Sequence, residues 1–418
     1  MRHRRLFRRK RSQILVALSG VIFIYAFATS IMQYNLALVA DNFSSTYTIF
    51  GILMGLPWFF SLLTDIPVGA LADRFGRKRT IILGLIGLGI SGLLLYISHD
   101  IFWLFWVLSI FGIFEGFLTV AGMASVIAAS RDGEEHRFIG FYEGTSEMGY
   151  VTGSLAAGAI LVWVSWQSPF LIFSGFCFLA ALLAWRFVPN DKGLQEPFEQ
   201  AVGLVYTKDR IYFAEIREFF SVGKIAYIVG FFTILNGMWY EFLWAMEPVL
   251  IAENGVSPFF GGLALSFFMI TLALFDYPIG AWMDKTQHRF FSIVIGLFIG
   301  AAGIAVFALA GSVITILLVA IVTGVGMSFF DVGLDGLFDT FSNHHRRGYM
   351  TGVWQAAEDV GFIIGPVIGG VLADIFGLRG SFVVFGALFF ISSLWVFYEK
   401  STIKKYENIA HIAEGVKF

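Results

Sequence analysis

The sequence contains little charge and almost no cysteine. Of its 418 residues, 14% are charged and 57% are hydrophobic, whereas an ordinary soluble domain carries about 25% charged residues. The single cysteine, Cys177, excludes a disulfide framework and a thiolate metal cluster. The near balance of 28 basic and 30 acidic residues argues against a nucleic-acid-binding protein. This composition indicates an integral membrane protein without a large water-exposed domain.

Residues for several kinds of chemistry are also missing. The seven histidines lie in tails or polar loops, so we expect no imidazole cage for a transition metal inside a membrane. The chain has no glycine-rich phosphate loop with its lysine, which removes ATP as an energy source, and no nucleophile and base stand out. We therefore expect no enzyme, no catalytic residue, no metal site and no cofactor. A hard cation such as Na⁺ needs only oxygen ligands, so a binding site for such a cation is kept as an alternative.

Apolar stretches account for most of the chain, and a helix needs about 20 such residues to cross a bilayer. The sequence thus predicts an all-α integral membrane protein with twelve transmembrane helices. The stretches lie near residues 13–40, 47–71, 80–98, 101–129, 138–165, 168–188, 223–250, 258–282, 290–310, 312–341, 348–375 and 380–398.

Basic residues are distributed unevenly between the two ends of these stretches. With the amino terminus in the cytoplasm, 27 of the 28 Lys and Arg fall on the cytoplasmic side and only Arg379 lies outside. Because cytoplasmic loops are enriched in Lys and Arg, we predict that both tails, residues 1–12 and 399–418, are cytoplasmic. The expected location is the cell inner or plasma membrane, as a multi-pass monomer.

The longest polar stretch, residues 189–222, separates six spans from six. We predict that it is a cytoplasmic linker between an amino-terminal bundle, residues 13–188, and a carboxy-terminal bundle, residues 223–398. Apolar residues from Tyr212 to Phe220 recur at helical spacing, which favours an amphipathic helix on the inner membrane surface. A solvated tether is the alternative.

Two separate patterns recur at nearly the same offset. The segment Thr64–Arg74 reappears as Phe275–Lys285, 211 residues later, and glycines of span five recur in span eleven 212 residues later. The two halves are therefore expected to be two pseudo-symmetric six-helix bundles related by an axis along the membrane normal. Such repeats are typical of secondary transporters, in which two bundles rock about a central site.

The loop between spans two and three carries a family resemblance. The run Gly-Ala-Leu-Ala-Asp-Arg-Phe-Gly-Arg-Lys, from Gly69 to Lys78, resembles the loop signature of the major facilitator superfamily, and the resemblance covers essentially the whole chain. In that family the loop latches the two bundles in the outward-facing state. The second copy has Gln287 and His288 in place of a glycine and an arginine, so it should latch more weakly. The gating residues implied are Gly69, Asp73, Arg74, Gly76, Arg77, Gly280 and Asp284, together with Asp65 and Asp276 of the two copies.

Span eleven contains a second glycine pattern, which resembles the one found in span five of the antiporters of this superfamily. Its residues are Gly352, Gly361, Gly365, Pro366, Gly369 and Gly370. Span five itself has a degenerate form, with Ser154 at the proline position. The resemblance favours antiport and adds Gly361, Gly365 and Pro366 to the gating residues. Close packing of helices by spaced small residues is the alternative.

Acidic side chains occur deep within the spans, where no Lys or Arg lies at comparable depth. A carboxylate there costs several kcal/mol unless it pairs, protonates or faces water, so we expect these acids to bind protons or cations. They are Glu115, Glu143, Glu147, Glu241, Asp331, Asp335, Glu358 and Asp359, and the repeat adds Gln355 as the counterpart of the first glutamate of span five. Acids that are kept protonated or solvated only to hold helices together are the alternative.

Spacing separates these acids further. The two glutamates of span five are four residues apart and share one helix face, as do the two aspartates of span ten, which favours proton uptake by one member of each pair. In span eleven, Asp359 lies about 200° around the helix from a motif glycine and Glu358 only about 60°. We therefore prefer Asp359 as a residue that faces a central cavity.

Aromatic residues accompany the acid of span seven, where Trp239 and Tyr240 precede Glu241. Aromatic rings beside a carboxylate suit an organic cation, so we add Trp239 and Tyr240 to the candidate substrate-binding residues. Trp and Tyr also mark ordinary interfacial belts, which is the alternative.

These features predict a secondary active transporter of a small molecule in a lipid bilayer, most like the proton-coupled drug antiporters of the superfamily. We expect H⁺ as the coupling ion and export of a hydrophobic or cationic compound. Many such exporters have an arginine in span four and an acid in span one; both are absent here, so coupling must rest on the acids above. A proton or sodium symporter that imports a nutrient, and a non-transporting sensor or lipid scramblase, are the alternatives.

We predict that Asp73→Asn weakens the latch and shifts the protein toward inward-facing forms by a few kcal/mol at most. The measurement is cysteine labelling at engineered positions on both membrane faces, in a Cys177→Ala background. Unchanged labelling on both faces would contradict the assigned role.

Overall fold

The computed structural model describes residues 2–130, 135–190, 217, 219–286, 288–309, 311–341 and 347–404, and within these ranges the regular elements are all helical. The helices are α1 (Arg2–Phe43), α2 (Tyr47–Phe75), α3 (Arg77–Tyr96), α4 (Ile101–Ala129), α5 (Glu135–Trp163), α6 (Ser168–Phe187), α7 (Lys224–Glu253), α8 (Pro258–Thr286), α9 (Arg289–Phe307), α10 (Val313–Phe341) and α11 (Arg347–Tyr398). The amphipathic helix predicted around Tyr212 and the tail beyond residue 404 lie outside the described residues.

The last helix changes direction at Gly377, whose backbone has φ 77° and ψ 161°. Only glycine adopts this conformation without strain, so a turn forms between two arms, residues 347–376 and 378–398. Each arm is long enough to cross a bilayer. With the arms counted separately, the described chain contains twelve long helices, and the predicted twelve-helix membrane fold is confirmed.

Most of these helices are apolar enough to lie in lipid. Ten of the eleven have the length and composition of a membrane span, and α5 is the exception. Its first half carries Glu143 and Glu147, which lower its hydropathy. An acidic helix in an otherwise apolar set must face protein or water for part of its length.

The helices form two compact units, which we call unit 1 (Met1–Ser44 with Leu56–Asp209) and unit 2 (Ser45–Gly55 with Arg210–Phe418). In unit 1, α1 packs on α5 and α6, while α3 packs on α4 and α6. In unit 2, α7 packs on α11, α9 packs on α10 and α11, and α8 packs on α10. The same pattern of helix neighbours therefore occurs twice, as the sequence repeat requires.

Glycines set the closest helix contacts in both units. A methyl group built on Gly153 of α5 would lie 2.4 Å from the carbonyl oxygen of Phe27 in α1. A methyl group built on Gly361 of α11 would lie 2.2 Å from the carbonyl oxygen of Ile234 in α7. Because real carbon atoms do not approach so closely, only glycine permits these backbone contacts. The glycine pattern of span eleven thus forms part of the surface that packs against α7.

The first residues of α2 belong to unit 2, and side chains of that unit cap the amino terminus of the helix. Asp374 of α11 accepts hydrogen bonds from the backbone nitrogens of Tyr47 and Thr48, at 2.8 and 2.9 Å, and from the Thr48 hydroxyl at 2.6 Å. The Tyr47 hydroxyl also donates to Glu253 at the end of α7. A carboxylate that binds free amide groups at a helix amino terminus also stabilises the helix dipole.

We predict that Gly153→Ala and Gly361→Ala each lower the stability of the folded protein by about 1–3 kcal/mol, because the added methyl group forces two backbones apart. Gly175→Ala in α6 is the matched control, since nothing lies within 4 Å of that position. Alanine there should be neutral or slightly stabilising, because it favours a helix by up to about 1 kcal/mol over glycine. Thermal unfolding of the purified protein in detergent measures all three, and equal losses in the three variants would contradict the prediction.

Candidate functional site

The predicted latch loop is held by contacts within unit 1. Gly76, between α2 and α3, has a φ of 108°, a left-handed conformation that favours glycine. Arg77 forms an ion pair with Asp73 at 3.1 Å. The Lys78 ammonium donates to the carbonyl oxygen of Trp185 in the last turn of α6, at 2.7 Å. These contacts fix the shape of the loop, while its gating role, including that of Arg74, stays a prediction.

The second copy of the loop signature is less fully described. The side chain of Asp284 lies outside the described residues, so its predicted role stays a prediction. Gly69 and Gly280 occupy similar surroundings, because a methyl group built on either would lie at ordinary distance from a valine, 3.7 Å from Val120 and 3.8 Å from Val332. Neither glycine is required by a close contact there.

A polar cluster lies between α1, α2 and α4 in unit 1. The Tyr25 hydroxyl donates to Glu115 Oε1 at 2.8 Å, and both side chains are buried, at 1% and 3% exposure. The other carboxyl oxygen of Glu115, Oε2, is buried without a hydrogen-bond partner. Glu115 lies close enough to Asp65 of α2 for the two charges to interact. We call Tyr25, Asp65 and Glu115 the unit 1 cluster.

Close contact between α2 and α4 brings the two acids of this cluster together. A methyl group built on Gly112 would lie 2.1 Å from the carbonyl oxygen of Pro57. One turn later, a methyl group built on Gly116 would lie 3.0 Å from Asp65 Oδ1. Asp65 also accepts a long hydrogen bond from the Ser61 hydroxyl, at 3.4 Å. Asp65 thus lies against the helix that carries Glu115.

A second polar cluster lies between α7, α8 and α10 in unit 2. Asp331 of α10 accepts from the Tyr240 hydroxyl at 3.4 Å and is hydrogen-bonded to the Asn236 side chain. Its charge interacts with that of Asp276 in α8, beside which the Ser328 hydroxyl lies. One carboxyl oxygen of each aspartate, Oδ1, is buried without a hydrogen-bond partner. We call Asn236, Tyr240, Asp276 and Asp331 the unit 2 cluster.

Two further acids border the unit 2 cluster. The charges of Asp335, one turn along α10, and of Glu358 in α11 both interact with Asp331. The preference for Asp359 over Glu358 stays a prediction. The helix contact at Gly237 explains the position of Glu358, because that glycine packs directly against the backbone carbonyl of this residue.

Neither cluster, as defined above, includes the remaining candidate residues. Glu143 and Glu147 are exposed on the surface of unit 1, and Gln355 is exposed on unit 2. Glu241 is buried in α7 at 5% exposure. Glu247, near the end of the same helix, is 2% exposed and has one carboxyl oxygen without a hydrogen-bond partner. Their binding roles stay predictions.

Trp239 is a packing residue in this structure. Its side chain is completely buried and its ring lies parallel to Phe330 and edge-on to Phe389. The six-membered ring fills the space left open by Gly300, where a methyl group would lie 1.5 Å from it. The indole therefore supports the contact between α7 and α9, and its predicted part in substrate binding stays a prediction.

The sequence profile of the Major Facilitator Superfamily matches residues 18–246 and 229–411, and so covers nearly the whole chain. The chain belongs to this superfamily. Membership agrees with the twelve helices, with the duplicated units and with the loop signature, and it makes the protein a membrane-embedded transporter of a small molecule.

Relatives in this superfamily align over most of the chain. An uncharacterized MFS-type transporter of Methanocaldococcus jannaschii is 26% identical over 89% of this chain and 95% of its own length. Multidrug resistance protein 2 of Bacillus subtilis is 22% identical over 87% of this chain and 88% of its own. The class B tetracycline resistance protein of Escherichia coli is 22% identical over 77% of this chain and 78% of its own.

Solved structures show the same fold. A bacterial homolog to the human lysosomal transporter Spinster superimposes with a TM-score of 0.78 at 17% sequence identity, over 95% of this chain and 98% of the other. A likeness at such low sequence identity shows a shared fold and does not indicate the substrate.

Of the uncharged residues in or beside the two clusters, only Tyr240 was predicted from the sequence. Tyr25, Ser61, Asn236 and Ser328 are single polar residues in apolar helices, and such residues are common in packed spans. The repeat contains a usable signal, because Tyr25 and Asn236 are separated by 211 residues, the offset that also separates Asp65 from Asp276.

We predict that Trp239→Ala destabilises the protein by about 3–5 kcal/mol, because it empties a fully packed space. Tyr240→Phe, at the next position, removes only a hydroxyl and should cost about 1 kcal/mol or less. Thermal unfolding in detergent measures both changes. A Trp239→Ala protein of normal stability that no longer binds its substrate would instead support the binding role.

Proposed function

We propose that this superfamily member is a proton-coupled antiporter that exports a hydrophobic or cationic small molecule from the cell by alternating access. It works as a monomer in the cell inner or plasma membrane, with both termini in the cytoplasm. The proposal rests chiefly on the acids of the two clusters, of which Glu115 is buried and Asp65, Asp276 and Asp331 are half-buried.

These acids require a positively charged occupant or a proton. In the part of the chain that the structure describes, Asp65, Glu115, Asp276 and Asp331 have no lysine or arginine partner. A buried carboxylate without a counter-charge is unstable by several kcal/mol, so the group binds a proton or changes its surroundings. Reversible loading of such groups, tied to bundle movement, is the physical requirement for proton coupling.

The names of two relatives favour export over import. Multidrug resistance protein 2 and the tetracycline resistance protein are named for resistance, which is the result expected when a transporter removes a compound from the cell. The glycine pattern of α11 points in the same direction by resemblance. Neither fixes the compound.

A proton gradient supplies enough energy for useful export. One charge that moves inward across about 100 mV releases about 2.3 kcal/mol, which supports a gradient of about fiftyfold for a neutral compound. A pH difference of one unit adds about tenfold more.

We predict that everted membrane vesicles with an acidic interior accumulate lipophilic cations such as ethidium or tetraphenylphosphonium, and that dissipating the pH gradient stops the uptake. Glu115→Gln and Asp331→Asn should each reduce the proton-dependent uptake about tenfold or more, a barrier change of about 1.4 kcal/mol. Asp339→Asn is the matched control, because this acid lies two turns along α10 from Asp331 and is exposed.

The outcomes of this experiment separate the candidate functions. No proton-dependent flux across a broad panel of compounds would contradict the proposal. Accumulation of a polar nutrient by right-side-out vesicles under an inward ion gradient would favour symport. Ligand binding without flux, or lipid mixing without ion dependence, would favour a sensor or a scramblase.

A further inference from the structure

The two polar clusters occupy equivalent places in the two units. Glycine contacts fix this equivalence: Gly149 packs on the carbonyl of Phe23 in α1, and Gly361 packs on the carbonyl of Ile234 in α7. The matching residues are separated by 212 and 211 positions. At the same offset Tyr25 corresponds to Asn236, and each of these two residues is hydrogen-bonded to the buried acid of its own unit.

The crossing of the second and fourth helices is also repeated. Gly112 packs on the carbonyl of Pro57 in unit 1, and Gly324 packs on the carbonyl of Phe268 in unit 2. Gly116, against which Asp65 lies, corresponds to Ser328, which lies beside Asp276. The two acids of the second helices, Asp65 and Asp276, therefore occupy equivalent positions.

The acids of the fourth helices differ by one helical turn. Glu115 corresponds to position 327, and Asp331 lies four residues further along, on the same helix face. The tyrosine changes place as well, because Tyr240 corresponds to position 29 of α1, one turn from Tyr25. Both arrangements nevertheless contain an acid pair, a hydroxyl that donates to the acid of the fourth helix, and a buried carboxyl oxygen without a partner.

We propose that each unit contains its own proton site, formed by Asp65 with Glu115 in unit 1 and by Asp276 with Asp331 in unit 2. The inference rests on the proton coupling proposed above and adds the location and number of the sites. In each site one proton adds to a carboxylate oxygen and converts one acid of the pair to its neutral form. The second carboxylate then stands beside a neutral neighbour, so the repulsion between the two charges is removed.

Among the residues that the structure describes, the other groups that face these sites are uncharged or acidic. In unit 1 they are Tyr25 of α1 and, interacting with Tyr25, Tyr150 of α5. In unit 2 they are Asn236 and Tyr240 of α7, Asp335 of α10 and Glu358 of α11. A tyrosine hydroxyl or an asparagine amide stabilises whichever carboxylate stays ionised, by hydrogen bonding, without supplying a permanent positive charge. The additional acids make the unit 2 site the more negative of the two.

The test is infrared difference spectroscopy of the purified full-length protein between acidic and alkaline buffer, which detects the carbonyl band of protonated carboxyl groups without any substrate. Two acids that share one proton behave as one titrating unit. Asp65→Asn and Glu115→Gln should therefore remove the same band component, and the double variant should remove no more than either single variant. Asp276→Asn and Asp331→Asn should show the same relation, while Asp65→Asn combined with Asp276→Asn should give additive losses.

Several results would overturn the inference. They are an unchanged band in Asp65→Asn or Asp276→Asn, losses that add within one pair, and losses that fail to add between the units. Loss of the wild-type band on addition of Na⁺, but not of choline, would show that a metal cation occupies the sites instead of a proton. Asp339→Asn is again the exposed control and should leave the buried band intact.

Conservative variants keep the test valid if a carboxyl variant does not fold. Tyr25→Phe and Tyr240→Phe leave both acid pairs in place and remove only a donor, so they should shift the frequency of the band of their own unit without removing it. A shift in neither variant would contradict the sites as described. Transport assays then separate the two proposals. If the carboxyl bands behave as expected but no proton-dependent flux is found, the proton sites stand and antiport is rejected. If proton-driven export is found but the band is unchanged in Asp65→Asn, the proton sites are rejected and antiport stands.

Discussion

The structure is constrained above all by four carboxyl groups of apolar helices, which have no lysine or arginine partner among the described residues. They are those of Asp65, Glu115, Asp276 and Asp331. Water is scarce at such positions, and an uncompensated carboxylate there is unfavourable by several kcal/mol. In each unit a hydroxyl or amide donor beside the acid offsets part of this cost, whereas a second acid nearby adds repulsion between the two charges. The pair tolerates one negative charge far better than two, so its protonation state is coupled to its surroundings. A group of this kind can respond to a change in helix packing.

Close helix contacts at glycines make it possible for the two acids of each unit to lie near each other. Two helices separated by ordinary side chains have axes about 8–10 Å apart, which is far for short aspartate side chains. The contact of Gly112 with Pro57 brings the α4 backbone against α2, and Gly324 does the same against α8. Asp65 then reaches the surface of α4 directly. The acids of these spans therefore depend on the glycines for their positions, because a larger residue would move the two helices apart.

The sequence allowed the spans, the repeat and the acidic residues to be predicted, because these depend on composition and spacing along the chain. It did not allow the partners to be predicted, because the direction in which a helical residue points is decided by the neighbouring helix. Trp239 illustrates the limit: an aromatic residue beside an acid suits a ligand, yet the absence of a side chain at Gly300 gives its ring a fully packed position. Tyr25 and Asn236 could have been identified only by applying the 211-residue offset to uncharged residues as well.

Two proton sites, one in each unit, would change the energetics of export of a cation. A monovalent cation that leaves against a potential of about 100 mV requires about 2.3 kcal/mol, and one proton that enters releases the same amount. Exchange of one for one is therefore electrically neutral and is driven by the pH difference alone. With a second proton, one net charge enters in each cycle, and the membrane potential drives export even when the two sides have equal pH. In such an exporter the number of loaded acid pairs would decide which component of the proton gradient drives export, and a cell whose pH gradient is small would need both sites occupied.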